Sequence, residues 1–344
     1  MASKSLPSFS SFSCSTTLSQ FLFSFTLFSL LLFCSLSDSH KYVNVTYLPS
    51  HFEDLWTKNI PHWKFNASKQ ISQQAATFHR YLHSLDGDPL RATIVPPDPD
   101  ENRFPPHIFS YFEYTWASGK KRMVPIEPLV GILRHPKYQG PHHGPGIDKF
   151  LEDKSWLLID PYQAKEEGRN YYYFDFGASL YSSGLGGPSQ QMFVELYETA
   201  NVSFDRIFAF EAEVLNPKQV FNELPQSVLP FYQWYNIPVS ANSSDKMDAL
   251  YFLKSVATTH DFVIIKLDID NTTVEEGIIY RLLDDPIAMS LIDEIFWEHH
   301  VNMPELNPSW FPKKAGIPPP RDKTLENSYH LFRRMREAGI RAHS

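Results

Sequence analysis

Cysteine is nearly absent: of 344 residues only Cys14 and Cys34 carry a thiol, and both lie in the first 40. The rest of the chain has no means for a disulfide framework, a thiolate zinc site or a cysteine nucleophile. Basic charge is also short. Lys and Arg number 31 against 39 Asp and Glu, for a formal net charge of −8 and a pI near 5.9. Phosphate neutralisation needs the opposite balance, so nucleic acid is excluded as a partner. Glycine is scarce, 14 against 27 proline, which points to stiff loops, and no internal repeat occurs. Hydrophobic residues make up 42%, aromatics 15% and charged residues 20%. That composition belongs to a globular chain with a large core and excludes a wholly disordered or coiled-coil one. The length suggests about two domains.

The longest apolar run, residues 21–36 (FLFSFTLFSLLLFCSL), follows a Ser-rich tail over 1–20 whose one basic side chain is Lys4. It is shorter than the ~20 residues that span an average bilayer. An uncleaved signal-anchor over 21–37 is expected; a signal peptide cleaved before Asp38 is the alternative, with a secreted product. Sequons at Asn44, Asn66, Asn201, Asn242 and Asn271 satisfy N-x-S/T, whereas Pro308 disqualifies Asn307. Together with the run they lead to the expectation of a single-pass ER or Golgi protein with its C-terminal body in the lumen.

Residues 38–149 read as a helical or irregular extension. Ile71, Ala75, Phe78 and Leu82 give Ser68–Leu85 helical spacing, and breaker segments follow at 95–106 and 135–146. His142 and His143 in the second breaker could serve a lid or do nothing specific. From 150 to 344 the texture changes to apolar runs alternating with helical stretches. Strands are expected at Tyr171–Gly177, Arg206–Glu211, Ile237–Ser240, Phe262–Asp270 and Glu294–His299. Helices are expected at 188–199, across Lys246–Val256 capped by Ser244 or Asp245, at 273–283 capped by Thr273, and at 323–338 ended by Gly339. Strands separated by single helices imply right-handed crossovers and an α/β fold with a doubly wound, mainly parallel sheet. Such a sheet binds ligands outside the carboxyl ends of its strands.

Chemistry-bearing residues fall at those ends. The first strand runs out through Asp175, Gly177, Ala178 and Ser179 into a loop with Gly184 and Gly186. A glycine there lets backbone approach a ligand, although such a loop is often only a turn, and the spacing is not G-x-G-x-x-G. Glu211 closes the second strand, where an acid can accept two hydrogen bonds from vicinal ribose hydroxyls or simply be solvated. Asp268 and Asp270 end the strongest strand on one face, and with Asn271 they could hold a cation, orient an amine or cap the next helix. Glu298, His299 and His300 close the last. Alternation puts Glu298 and His300 on one face and His299 on the other, and a histidine at this edge could act as a general base.

The series FDFGAS, IFAFEAE, DFVIIKLDID and EIFWEHH resembles the class I S-adenosylmethionine-dependent methyltransferases, most closely the FkbM type, over about residues 150–344. The resemblance implies a Rossmann-like sheet, S-adenosyl-L-methionine as cofactor and O-methylation of a sugar or polyketide hydroxyl. It places Asp175 near the methionine amino group and Gly177 under the cofactor. It makes Glu211 the ribose-binding acid, puts Asp268 beside the methionine end or the acceptor, and lines the acceptor side with Glu298 to His300. Asp270-Asn271 stands where the family commonly has Glu-Gly. No seventh strand has an obvious sequence. Glycans on Asn242 or Asn271 would obstruct the cleft, so both are expected to be unmodified. The expected activity is therefore lumenal O-methylation, with a glycan hydroxyl as acceptor and no metal ligand assigned. Two alternatives remain: a Golgi glycosyltransferase using Asp268-Ile269-Asp270 as a D-x-D site, and an inactive scaffold that kept the fold.

Overall fold

The computed structural model describes residues 42–51, 53, 54, 57, 106, 107, 109–129, 157–160, 168–183, 189–300 and 325–344. Strands β1 (Tyr42–Leu48), β2 (Ser110–Trp116) and β3 (Lys121–Ile126) form an antiparallel sheet in chain order. A second sheet contains β4 (Tyr171–Phe176), β5 (Arg206–Phe210), β6 (Tyr232–Tyr235), β7 (Phe262–Leu267), β8 (Glu294–Trp297) and β9 (Arg341–His343). Its order is β6-β5-β4-β7-β8-β9, and every neighbouring pair is parallel. Helices α1 (Ser189–Thr199), α2 (Pro217–Glu223), α3 (Ala249–Val256), α4 (Thr272–Asp284), α5 (Pro286–Met289) and α6 (Leu325–Glu337) alternate with these strands.

The mainly parallel α/β sheet expected from the sequence is present. YYYFDF and FVIIKL are buried at every position, as strands covered on both faces must be. Aromatic side chains fill the space on one side of β4 and β5. Phe174 stacks on Phe208 with ring centroids 4.8 Å apart, Phe210 stacks on Tyr235 at 4.7 Å, and Phe252 of α3 meets all four rings edge-on. Gly339, with φ +94°, ends α6, and the Gly339 and Ile340 N–H groups satisfy the Arg336 and Met335 carbonyls.

Several boundaries differ from expectation for local physical reasons. The third strand is β6, not Ile237–Ser240: Pro238 has no N–H to donate, and Ser240 makes a lone bridge to Asp248. Helix α3 is capped by Asp248, whose carboxylate accepts from the Leu250 N–H and is gripped by Arg281 of α4 at 2.6 and 2.8 Å. Asn271 rather than Thr273 caps α4. β7 stops at Leu267, and β8 stops at Trp297 because the His299 N–H turns back to the Trp297 carbonyl. Helix α2, with Asn216 as cap and Pro217 at its first position, was not anticipated.

The N-terminal extension also needs correction. In place of a helical or irregular segment, its described residues supply the antiparallel sheet, with Phe112, Tyr114, Val124 and Ile126 inside. The hairpin turn between β2 and β3 is set by Gly119 at φ +78°, whose N–H donates to the Trp116 carbonyl. The expected helix over 68–85, both breaker segments and His142-His143 lie outside the described residues. The expected membrane anchor is corrected as well. Among the described residues no helix is long and apolar enough to cross a membrane, and the 21–37 run, short for a bilayer, lies outside them.

A buried charge cluster ties the two sheets together. The Arg336 guanidinium donates to the Glu127 carboxylate (3.0 Å) and carbonyl (2.8 Å) and to the Tyr47 hydroxyl (3.1 Å). Arg341 pairs with Glu294 at 2.9 Å and donates to the Pro125 carbonyl. His343 reaches Glu127 at 2.9 Å through Nδ1 and lies 3.6 Å from Glu294 through Nε2.

Candidate functional site

From β4 the chain winds outward through β5 to β6; β7 then begins on the other side of β4 and leads to β8 and β9. The loops after β4 and β7 therefore diverge, the arrangement in which sheets of this order hold a ligand in a crevice at the carboxyl ends of their strands. Backbone strain collects there. Ser179 and Asp270 hold positive φ (49° and 54°) after β4 and β7, conformations that L residues keep only when their surroundings enforce them.

Gly177 makes the junction possible. At φ +92° an added Cβ would overlap the Asp268 carbonyl oxygen, so the absent side chain serves close packing between the two loops. The Gly177 and Ala178 N–H groups extend the ladder to the Phe210 carbonyl. The Gln190 amide of α1 reaches the Ala178 and Ser179 carbonyls and accepts from the Tyr232 hydroxyl at 2.7 Å. Glu211, half-buried, accepts from the Ser179 N–H at 2.8 Å through one oxygen and from the Glu213 N–H at 2.6 Å through the other. Each oxygen has a second lone pair for a further donor.

Beneath these strand ends, Asp175 and Lys266 are register partners on β4 and β7. Asp175 is wholly buried, and among the described residues neither of its oxygens has a hydrogen-bond partner. Burial pushes its pKa up to about 6 against the pull of the Lys266 ammonium. That ammonium lies 3.4 Å from Asp175 and 3.3 Å from Asp268 and donates to the Gly177 carbonyl at 2.8 Å. Burial opposes its charge, but the two carboxylates outweigh that and hold its pKa above the ordinary lysine value.

At the other end of the edge, Asp268, Glu298 and His300 come together, with one donor atom of each within 4.8 Å of the others. His300 Nε2 is 3.8 Å from Glu298. Burial lowers the His300 pKa, but the neighbouring carboxylates, Glu298 foremost, raise it more.

Gly177, Ala178, Ser179, Glu211 and Asp268 thus gather along one edge, joined by Glu298 and His300. His299 does not. It is turned inward, stacked on Trp297 at 4.0 Å and bonded to Glu276 at 2.9 Å, because the tight turn after Trp297 ends the alternation. It cannot reach a substrate as the expected base. Asp270 is not among the clustered donors, but burial and the charge of the neighbouring Asp268 raise its pKa. Gly184 and Gly186 lie outside the described residues. Sequence reasoning missed Lys266, Gln190 and Glu275. The last is buried at the start of α4, accepting from the Ile269 N–H and the Trp297 indole. Lys266 alone carried a signal, a charged residue inside the apolar run FVIIKL.

Comparison of this chain with protein-family models, with curated proteins and with solved structures returns no match.

Proposed function

We propose that this chain is an S-adenosylmethionine-dependent O-methyltransferase whose acceptor is a hydroxyl group, with a glycan hydroxyl as the class the sequons suggest. The supporting observation is an acidic edge built around Glu211. The described segments that follow the strand ends, 177–183, 211–216, 236–240, 268–271 and 298–300, hold Glu211, Glu213, Asp268, Asp270 and Glu298 and no Lys or Arg. The one ammonium beneath them, Lys266, is committed to Asp175, Asp268 and a carbonyl. With no cation bound, such an edge repels a diphosphate, and it suits a ligand with an adenosine and a cationic sulfonium.

The strand order is that of dinucleotide-type Rossmann sheets, in which an acid after the second strand meets a ribose. Glu211 occupies that place and has the spare lone pairs for it. Ser179, through its N–H, holds Glu211 in place at the switch point, and Lys266 ties Asp268 to the β4 loop. When bound, S-adenosylmethionine supplies an electrophilic methyl group for in-line attack by the acceptor oxygen. The proton from that oxygen leaves at the far end of the edge, where Asp268, Glu298 and His300 stand. The demethylated product, S-adenosylhomocysteine, is the simplest test. At a hundredfold excess over its Kd it should stabilise the fold by about 2.7 kcal/mol. No thermal shift at saturating concentration would remove the proposal.

A further inference from the structure

We propose that Asp268, Glu298 and His300 form a binding site for a divalent first-row cation. The three come from two adjacent strands: Asp268 follows β7, and Glu298 and His300 follow β8 on the face that His299 leaves. Donors around one small cation at ~2.1 Å lie about 3–4.2 Å apart. The His300–Glu298 separation of 3.8 Å falls inside that range. The donor atoms of all three lie within 4.8 Å of one another, close to that range.

Charge supports the site. Asp268, Asp270, Glu298 and the buried Asp175 all act on this corner, and the Lys266 ammonium answers Asp268 and Asp175. A metal ion would oppose the charge of Lys266 and would displace the proton that the carboxylates favour on His300. The Lys266 ammonium is shared between Asp268 and Asp175, and Asp175 has two oxygens without a hydrogen-bond partner among the described residues. A cation taking over Asp268 would let Lys266 settle fully on Asp175 without stranding either charge. The donor set fixes the class of ion. An imidazole with two carboxylates and no thiolate suits Mn2+ and its neighbours better than Mg2+ or Ca2+, which favour oxygen throughout. Coordination positions beyond these three are left for water or a substrate oxygen.

The test titrates the full-length chain with Mn2+ and follows loss of the free-ion electron paramagnetic resonance signal. Asp268→Asn, Glu298→Gln, His300→Gln and Asp270→Asn are run alongside, with folding checked by circular dichroism. One site is expected. Each of the first three substitutions should weaken it by about tenfold or more, and Asp270→Asn by less than about threefold. Nitrogen hyperfine coupling to bound Mn2+ should be present in the native chain and lost in His300→Gln. Where a variant fails to fold, the coupling in the native chain carries the test. A native chain that leaves the free signal undiminished, a site without nitrogen coupling, or an affinity that survives all three substitutions would overturn the inference. It does not rest on methyl transfer: a chain that binds Mn2+ but no S-adenosylhomocysteine upholds it and removes the earlier reading, and the reverse result does the opposite.

Discussion

Gly177 shows how tightly the two central loops are fitted. A methyl group there would meet the Asp268 carbonyl, and the positive φ is unfavourable for alanine. Gly177→Ala should therefore cost about 3 kcal/mol, from overpacking and backbone strain combined, read as a lowered urea midpoint. A change under about 0.5 kcal/mol would mean that the loops separate freely. At this scale the sequence was informative about residues whose role follows from their place on a strand. Gly177, Glu211 and Asp268 could be picked out because they close apolar runs, and strand ends converge in a parallel sheet. Lys266 could not, because its partner Asp175 sits on a strand far away in the chain and only the register between β4 and β7 brings them together. His299 and His300 look alike in sequence; the turn at Trp297 separates them.

Elements were legible where burial alone dictates structure and less so where a cap or a turn decides. The runs of β4 and β7 could be read directly, since a strand buried on both faces shows no polar alternation. The start of α4 was misplaced by the choice between Asn271 and Thr273, both good caps in isolation. The Asn271 side chain accepts from the Val274 N–H at 3.3 Å, whereas Thr273 is exposed. Asn271→Ala should lower stability by about 1 kcal/mol, and Thr273→Ala by no more than about 0.5. Both remove the same sequon, so a glycan effect would appear in both and a capping effect in the first alone. Equal losses in chemical denaturation would refute the assignment. The β2–β3 hairpin was overlooked because Pro125 sits within the run that becomes β3, and proline inside a run argues against a strand.

Over the whole molecule, the buried cluster that joins the small sheet to β8, β9 and α6 is the feature that sequence could least disclose. Glu127, Glu294, Arg336, Arg341 and His343 come from four separate stretches of chain. Their pKa directions fix how stability depends on pH. Burial works against all of them. For His343 the neighbouring Glu127 and Glu294 outweigh it and raise the pKa; for Glu127 and Glu294 the partners, His343 foremost, win in the other direction and lower it. A raised histidine contributes stability that is complete below its unfolded value near 6.5 and is lost as pH rises through its folded value. The two glutamates contribute stability that is present above about 4.5 and lost as pH falls through theirs. On this cluster's account stability peaks between these limits. Asp175, at about 6, has largely finished titrating by pH 7, so the decline between pH 7 and 9 should be smaller in His343→Gln than in the native chain. Identical alkaline slopes in thermal denaturation would contradict it.

The cluster holds the far edge of the sheet, and the acidic edge at the switch point is the proposed ligand site. That division is the centre of the account, and isothermal titration with S-adenosylhomocysteine tests it most directly. The native chain should release heat with one site per chain. Glu211→Ala should weaken binding about 10- to 100-fold, by loss of hydrogen bonds to a charged acceptor. Absence of heat from the native chain, or an affinity unchanged by the substitution, would contradict the account.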